Sequence, residues 1–345
     1  MRRIPLSLAI AGLLLIFLIS LVLGIGVGST PISPKTILTI LGARLGFFAL
    51  PPSIPASQAD IVWLIRLPRL ILGTAVGASL AMCGVVMQAV VKNPLADPYI
   101  LGVSSGASLG ATLGLLFGVG SLLGGQAVGF FAFAFAFGVS LLVMILAHVG
   151  GRATATKLLL AGMALSTVCG SVTNLLLFLS PNRDAVRQVT FWTLGSLAGA
   201  KWSHMPLLFV LVLTSGIYFY LQSRHLNLML LGDEAAISLG VDLRRLRRTY
   251  LLVSALLIGF VVYESGVIGF VGLIVPHIMR MLLGTDHKKL LPCTTLAGAI
   301  LLIWADTVSK ILVPGSEVPI GVVISIVGAP LFIFLVVKHG YGGRP

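Results

Sequence analysis

The chain has 345 residues, 57% of them hydrophobic and only 10% charged, where an ordinary soluble domain carries about a quarter charged. This balance excludes a soluble globular protein and predicts an all-α polytopic membrane protein with about ten transmembrane helices. The formal net charge of +13 sits in short clusters between apolar runs, with no basic stripe interleaved with aromatics, so it points away from nucleic acid and towards the Lys/Arg excess of cytoplasmic membrane loops.

Taken in order, residues 4–34 carry no charge, and the stretch from Pro5 to about Val27 is long enough to cross a bilayer. It is read as the first span, entered from the inside behind Arg2 and Arg3, rather than as a cleaved signal. Residues 29–65 hold Pro31, Pro34, Pro51, Pro52 and Pro55 and read as an outer loop with a short interfacial helix near 35–48. The second span opens at Arg66-Leu67-Pro68-Arg69 and ends in the polar, twice proline-punctuated turn 92–98. From Pro98 to Gly151, 54 residues pass without Asp, Glu, Lys or Arg. They make spans three and four with an uncharged turn near 118–126. Gly102, Gly106, Gly110, Gly114 and Gly118 recur every fourth residue, a stripe that lets a neighbouring helix approach closely in lipid.

A short inner loop with Arg152 and Lys157 leads to the fifth span, 158–180, which carries Ser166, Thr167, Ser171, Thr173 and Asn174. Such groups either bond back to their own helix or line a pathway. Residues 181–201 lie outside with a short helix through Phe191-Trp192, and the sixth span is 203–222. The remaining spans fall at about 246–263, 267–283, 290–311 and 318–337. Both termini are then cytoplasmic, with fifteen of the 23 Lys and Arg residues inside and eight outside, a bias that supports this orientation. Spans two to five and seven to ten read as two related halves, within a single transmembrane domain covering 1–345.

The segment 224–248 holds three of the ten acidic and five of the 23 basic residues and must lie outside the lipid. Its middle, Gly232-Asp233-Glu234-Ala235-Ala236-Ile237-Ser238-Leu239-Gly240, reads as a short amphipathic helix between two glycines. Ala235, Ala236 and Leu239 fall on one face, and Asp233, Glu234 and Ser238 towards the other. A helix this short is marginal alone, so it is expected to dock its apolar face on a partner. No P-loop, HExxH or pair of intramembrane carboxylates is present, and Cys83, Cys169 and Cys293 sit in separate apolar runs without ligand spacing. Ionisable groups deep in the spans are nearly absent, which argues against ion coupling and calls for an external energy source.

The motifs resemble those of the FecCD family of permeases in ATP-binding-cassette (ABC) importers for iron-siderophore complexes, haem and cobalamin. They are Arg66-Leu67-Pro68-Arg69, Asn93-Pro94-Leu95-Ala96-Asp97-Pro98 with Leu101-Gly102-Val103-Ser104-Ser105-Gly106-Ala107, Leu159-Leu160-Ala161-Gly162 and the 232–240 segment. Gly269-Phe270-Val271-Gly272 through Arg280, Glu317-Val318-Pro319-Ile320-Gly321 and Gly328-Ala329-Pro330 complete them. The resemblance implies a homodimer in the cell inner membrane whose ATP and Mg are bound by two partner ATPases, this chain holding no cofactor or metal and being no enzyme itself. It implies that 232–240 is the coupling helix. It also implies that a substrate-binding protein docks outside, its acidic groups meeting Arg66, Arg69 and Lys310, and that Thr154-Ala155-Thr156 lies at an inner gate. Ser166, Thr167, Ser171 and Asn174 then line the pathway. His277 belongs to the family-wide motif and is not read as a haem ligand. The expected cargo is a ferric siderophore, with haem or cobalamin as the alternatives.

Overall fold

The computed structural model describes residues 5–28, 30–117, 127–149 and 154–339. These residues form helices and turns, with one isolated bridge, Val313 to Ser316. Ten helices match the ten expected spans. Seven are long and apolar enough to cross a bilayer: α1 (Leu6–Gly26), α4 (Leu67–Val91), α6 (Ala127–His148), α7 (Ala155–Leu179), α9 (Met205–Leu221), α12 (Leu243–Ser265) and α14 (His287–Ile311). Two are shorter and apolar, α5 (Val103–Leu116) and α13 (Val271–Leu283), and α15 (Ile320–His339) is a further apolar helix of 20 residues. The accessory helices are α2 (Pro34–Arg44), α3 (Ala56–Asp60), α8 (Arg183–Thr193), α10 (Ser223–Leu230) and α11 (Asp233–Ser238). The turn expected at 118–126 lies outside the described residues, as does Arg152 of the inner loop.

The second span departs from its expected start. The helix runs unbroken from Ala56 to Val91, ten residues earlier than Arg66. Pro68 would normally break it, because proline lacks an N–H and clashes with the preceding turn. Here Ile61–Arg66 widens into a π-helical turn, with Leu67 N bonding Val62 O, which absorbs the misfit. At the other end Lys92 takes a left-handed conformation (φ 55°) and stops the helix. The seventh span also starts earlier than expected, so Arg244, Arg245, Arg247 and Arg248 lie in its first turns rather than in a loop.

Helix α4 is the buried axis of the bundle. Its small residues let two neighbours reach its backbone: Gly77 and Gly298 of α14 face each other, and Gly84 faces the backbone of Gly272 at the start of α13. The glycine stripe of α5 forms the same kind of seam. A Cβ at Gly106 would lie 2.8 Å from the Phe135 carbonyl oxygen, and one at Gly110 would overlap that of Phe131, so Gly106, Gly110 and Gly114 pack on α6; Gly118 lies outside the described residues. Contact at backbone range replaces the hydrophobic drive that lipid cannot provide.

The two halves repeat a packing scheme. Helix α4 lies along α14 and α12 along α6; α5 packs on α6 and α7 as α13 packs on α14 and α15. In each half a segment outside the α-helices, a 3₁₀ turn over Pro98–Leu101 in the first and irregular chain in the second, ends in a left-handed residue, Gly102 (φ 72°) or Phe270 (φ 66°), and a short helix follows at once. These segments lie inside the bundle: Gly272 abuts Pro98 and the Leu80 carbonyl, and Ile268 N donates to the Tyr99 hydroxyl at 3.3 Å. Irregular backbone at this depth is tolerated because protein supplies its hydrogen bonds. Ser196 N donates to Ser265 O (2.8 Å), and Gly321 N to Leu194 O (3.1 Å). Helix α5 therefore starts midway through the bundle, beside Gly162 and Ser166 of α7.

Candidate functional site

Three places carry the expected site residues. The first is the 232–240 segment. Gly232 (φ 108°) and Gly240 (φ 80°) adopt backbone conformations that side chains resist, and they frame α11. Helix α10 carries α11 and packs on α4 and α14. The Asn227 amide of α10 donates to Asp286 Oδ1 (2.9 Å), and His287 N donates to Asn227 Oδ1 (2.9 Å), fastening α10 to the start of α14. That hydrogen bond from Asn227, against a smaller cost of burial, holds the Asp286 carboxyl below the usual range.

The expected faces of α11 are redistributed. Ala236 is fully buried against this chain's own core. The Asp233 side chain, 43% exposed, is paired with Lys92 at the end of α4 and with Arg247 of α12 (2.7 Å). Burial raises its carboxyl pKa, but the hydrogen bonds and charges of Lys92 and Arg247 outweigh that and hold it below the usual value. The outward face comprises Glu234, Ile237, Ser238 and Leu239, with Leu231 beside it. Ile237 is 53% exposed and Leu239 62%. Sequence periodicity put Ala235, Ala236 and Leu239 on one apolar face, but the chain buries Ala236 and leaves Leu239 outward with Ile237, because periodicity cannot tell which part of a face its own chain covers.

The second place is the opposite end. Arg66, Arg69 and Lys310 line a cavity of about 430 Å³ together with Thr30, Ser316 and Glu317. None of the three is a free surface cation. Arg66 donates to the carbonyls of Ile25 (2.8 Å), Gly26 (3.2 Å) and Thr30 (2.5 Å), so it satisfies the last turn of α1. Arg69 bonds Asp306 through Nε (2.9 Å) and Glu317 through Nη1 (2.9 Å), and Lys310 pairs with Asp306 at 2.5 Å. The acidic partners of Arg69 lie more than two hundred residues along the chain, out of reach of local sequence reading, whereas Lys310 and Asp306 sit four residues apart on α14, a pairing the sequence already allowed. The two bonds of Arg69 differ in worth. Asp306 is buried, whereas the Glu317 side chain is half exposed and contributes at most about 1 kcal/mol. Arg69→Gln leaves Asp306 with Lys310 alone and is expected to cost about 2 kcal/mol, the loss of a hydrogen bond to a charged group, read as a lower thermal midpoint in detergent; an unchanged midpoint would mean that the network carries no stability.

The third place is α7. Its side chains at 163, 167, 171, 174 and 178 are exposed along one face, bearing Thr167, Ser171 and Asn174; Ser166 is half-buried. Thr167 donates to its own helix at Met163 O (2.9 Å). Only 17% of the most apolar window of α7 is buried, against 89% for the Ala56–Val91 helix, so this span is left largely unpacked by the chain itself. At its start, Thr154 is exposed and caps the helix by accepting from Lys157 N (3.2 Å). Thr156 is exposed beside it, and the loop before them lies outside the described residues.

The sequence motifs missed a cavity of about 410 Å³ between α8, the turn 196–204 and the end of α12. Its floor holds His204 paired with Glu264 at 3.0 Å. Nothing in the local sequence signals it, since the two residues are 60 apart.

The described residues hold no group of three His, Cys, Asp or Glu suited to a metal ion. The fold matches a solved chain described as an inward-facing conformation of a putative metal-chelate type ABC transporter. The TM-score is 0.81 and the identity 34%, covering 95% of this chain and 98% of that one. The pattern of the FecCD transport family spans residues 13–338, and the chain belongs to that family as an ABC importer permease. It is 42% identical over 281 residues to the hemin transport system permease protein HmuU of Yersinia pestis, covering 81% of this chain and 84% of HmuU. It is 40% identical over 278 residues to the vitamin B12 import system permease protein BtuC of Salmonella typhi, covering 80% and 83% respectively.

Proposed function

We propose that this permease carries an intact iron chelate, a ferric siderophore or haem, across the inner membrane as a homodimer. Two partner ATPases bind at α11 and supply the energy, and an extracytoplasmic binding protein delivers the cargo. Cobalamin is the alternative cargo within the same fold. The observation that carries the reading is the unpacked face of α7. Hydroxyl and amide groups in the middle of a span are costly against lipid and belong against protein or water. A second copy of the chain meeting this face would enclose a pathway lined by Thr167, Ser171 and Asn174, with Thr154 and Thr156 at its inner mouth. Neutral groups bind a large ligand weakly enough to release it.

The outer cavity supports the docking role of Arg66, Arg69 and Lys310 in a modified form. An incoming carboxylate of the binding protein would take the place of the half-exposed Glu317 beside Arg69. At the inner end, the outward apolar residues of α11 meet the ATPase. Asp233 and Asn227 pass its displacement to α4, α12 and α14, the tightly packed centre of the bundle.

The test is uptake in proteoliposomes holding the permease, its ATPase and its binding protein, with labelled ferric siderophore, haem and cobalamin offered in parallel. ATP-dependent accumulation of an iron chelate is the expected result. Accumulation of cobalamin alone would move the cargo assignment, and uptake that follows an ion gradient without ATP would replace the mechanism.

A further inference from the structure

Helix α5 begins inside the bundle with its first amides uncapped. Its N-cap is Gly102, which has no side chain to accept from them. The first amide to bond back is that of Gly106, to Gly102 O at 2.9 Å. The glycine face of α5 is closed by α6. The other face presents Ser104, Ser105 and Ser108 to a cavity of about 340 Å³, shared with Thr173 and Asn174 of α7 and Thr190 of α8. Every residue lining this cavity is uncharged. Thr173 is 8% exposed, and its hydroxyl has no hydrogen-bond partner.

A helix N-terminus carries a partial positive charge and free N–H donors, and it favours anions. Half-helices that start in mid-membrane put these donors at the depth where a transported ligand passes. A buried hydroxyl without a partner is unfavourable, and a ligand oxygen would relieve it. Lysine or arginine here would grip an anion; serine, threonine and amide donors hold it briefly.

We infer that the cavity between the N-terminus of α5, Thr173 and Asn174 is a transient binding site for an anionic oxygen group, a carboxylate of the translocated chelate. The inference rests on the chelate-permease reading. It adds that a carboxylate-bearing cargo is steadied midway, and that a cargo with its carboxylates masked is not.

The experiment uses the complete transporter in proteoliposomes, with haem and haem dimethyl ester as probes and with Thr173→Val and Ser105→Ala as variants. Loss of one hydrogen bond to a charged group predicts about ten-fold slower haem uptake in Thr173→Val, with ester uptake changed by less than about two-fold. The thermal midpoint should hold or rise, because valine removes an unpartnered hydroxyl. Equal slowing of acid and ester, or no slowing in either variant, overturns the site. So does a wild type that carries only chelates without carboxylates. Millimolar phosphate is added in a further arm: competition with haem that Thr173→Val abolishes, without any difference between acid and ester, would give the site to a free oxyanion and overturn its assignment to the cargo. A wild type that accumulates no chelate at all strikes the permease reading itself and is seen before any variant is made.

Discussion

Replacing Ile237 and Leu239 together with aspartate is expected to abolish stable assembly with the ATPase while the permease still folds. Both side chains project from α11 into the solvent of the isolated chain, more than half exposed, so folding loses little. In a docked complex they would form the apolar centre of the contact. Burying two such residues contributes about 3 to 5 kcal/mol, a loss of at least 100-fold in affinity, concentrated where interface energy usually lies. Copurification of the ATPase from detergent reads the result directly; retained stoichiometric copurification would show that the partner docks elsewhere. Asp233→Asn is the contrasting variant. It leaves the outward face intact and loosens the ties to Lys92 and Arg247, so ATPase binding should persist while uptake per ATP hydrolysed falls. The sign with pH follows from the depressed carboxyl. The tie is fully present above the ordinary aspartate value of about 3.9 and is lost only as pH falls through the lower folded-state value, so neutral pH does not modulate it.

Gly84→Ala is expected to cost about 3 kcal/mol or more. The new methyl would overlap the carbonyl of Gly272, which is backbone and has no rotamer to change, so α13 must move off α4. Overpacking of this kind costs about 1–3 kcal/mol even where side chains can yield. The expected readout is a strongly lowered thermal midpoint and loss of a monodisperse peak in detergent. Gly138→Ala in α6 is the control. Nothing lies within 4 Å of its added methyl, and alanine is the better helix former, so that variant should be neutral or slightly more stable. Similar behaviour of the two would mean that α4 and α13 do not approach at backbone range.

The comparison of these glycines marks how far the sequence reaches. Hydropathy located all ten spans, because each must satisfy its own backbone in lipid and therefore reads as a continuous apolar run. The four-residue glycine period of α5 announced a packing seam, and α6 fills it. In α4 Gly73 and Gly77 are four apart and Gly84 follows two turns later, a spacing that marks a packing face, but the sequence does not name the partners Gly298 and Gly272, which lie about two hundred residues away. The π-turn before Pro68 was likewise invisible, since proline locally argues for a helix start.

The sequence by itself determined the class of this protein: a ten-helix permease with a short polar helix between two glycines, and family motifs from Arg66 onward. Only the tertiary structure decided which groups are free to act. It turned Ala236 inward and Ile237 outward, tied Asp233 to Lys92 and Arg247, and gave Arg66 and Arg69 partners from α1, α14 and the turn before α15. It also set Ser104 and Ser105 against an unpartnered Thr173. The physical reason is the same in each case. Apolar periodicity is a local property of one helix in its solvent, whereas the pairing of a polar group depends on what a distant segment brings to within about 3 Å.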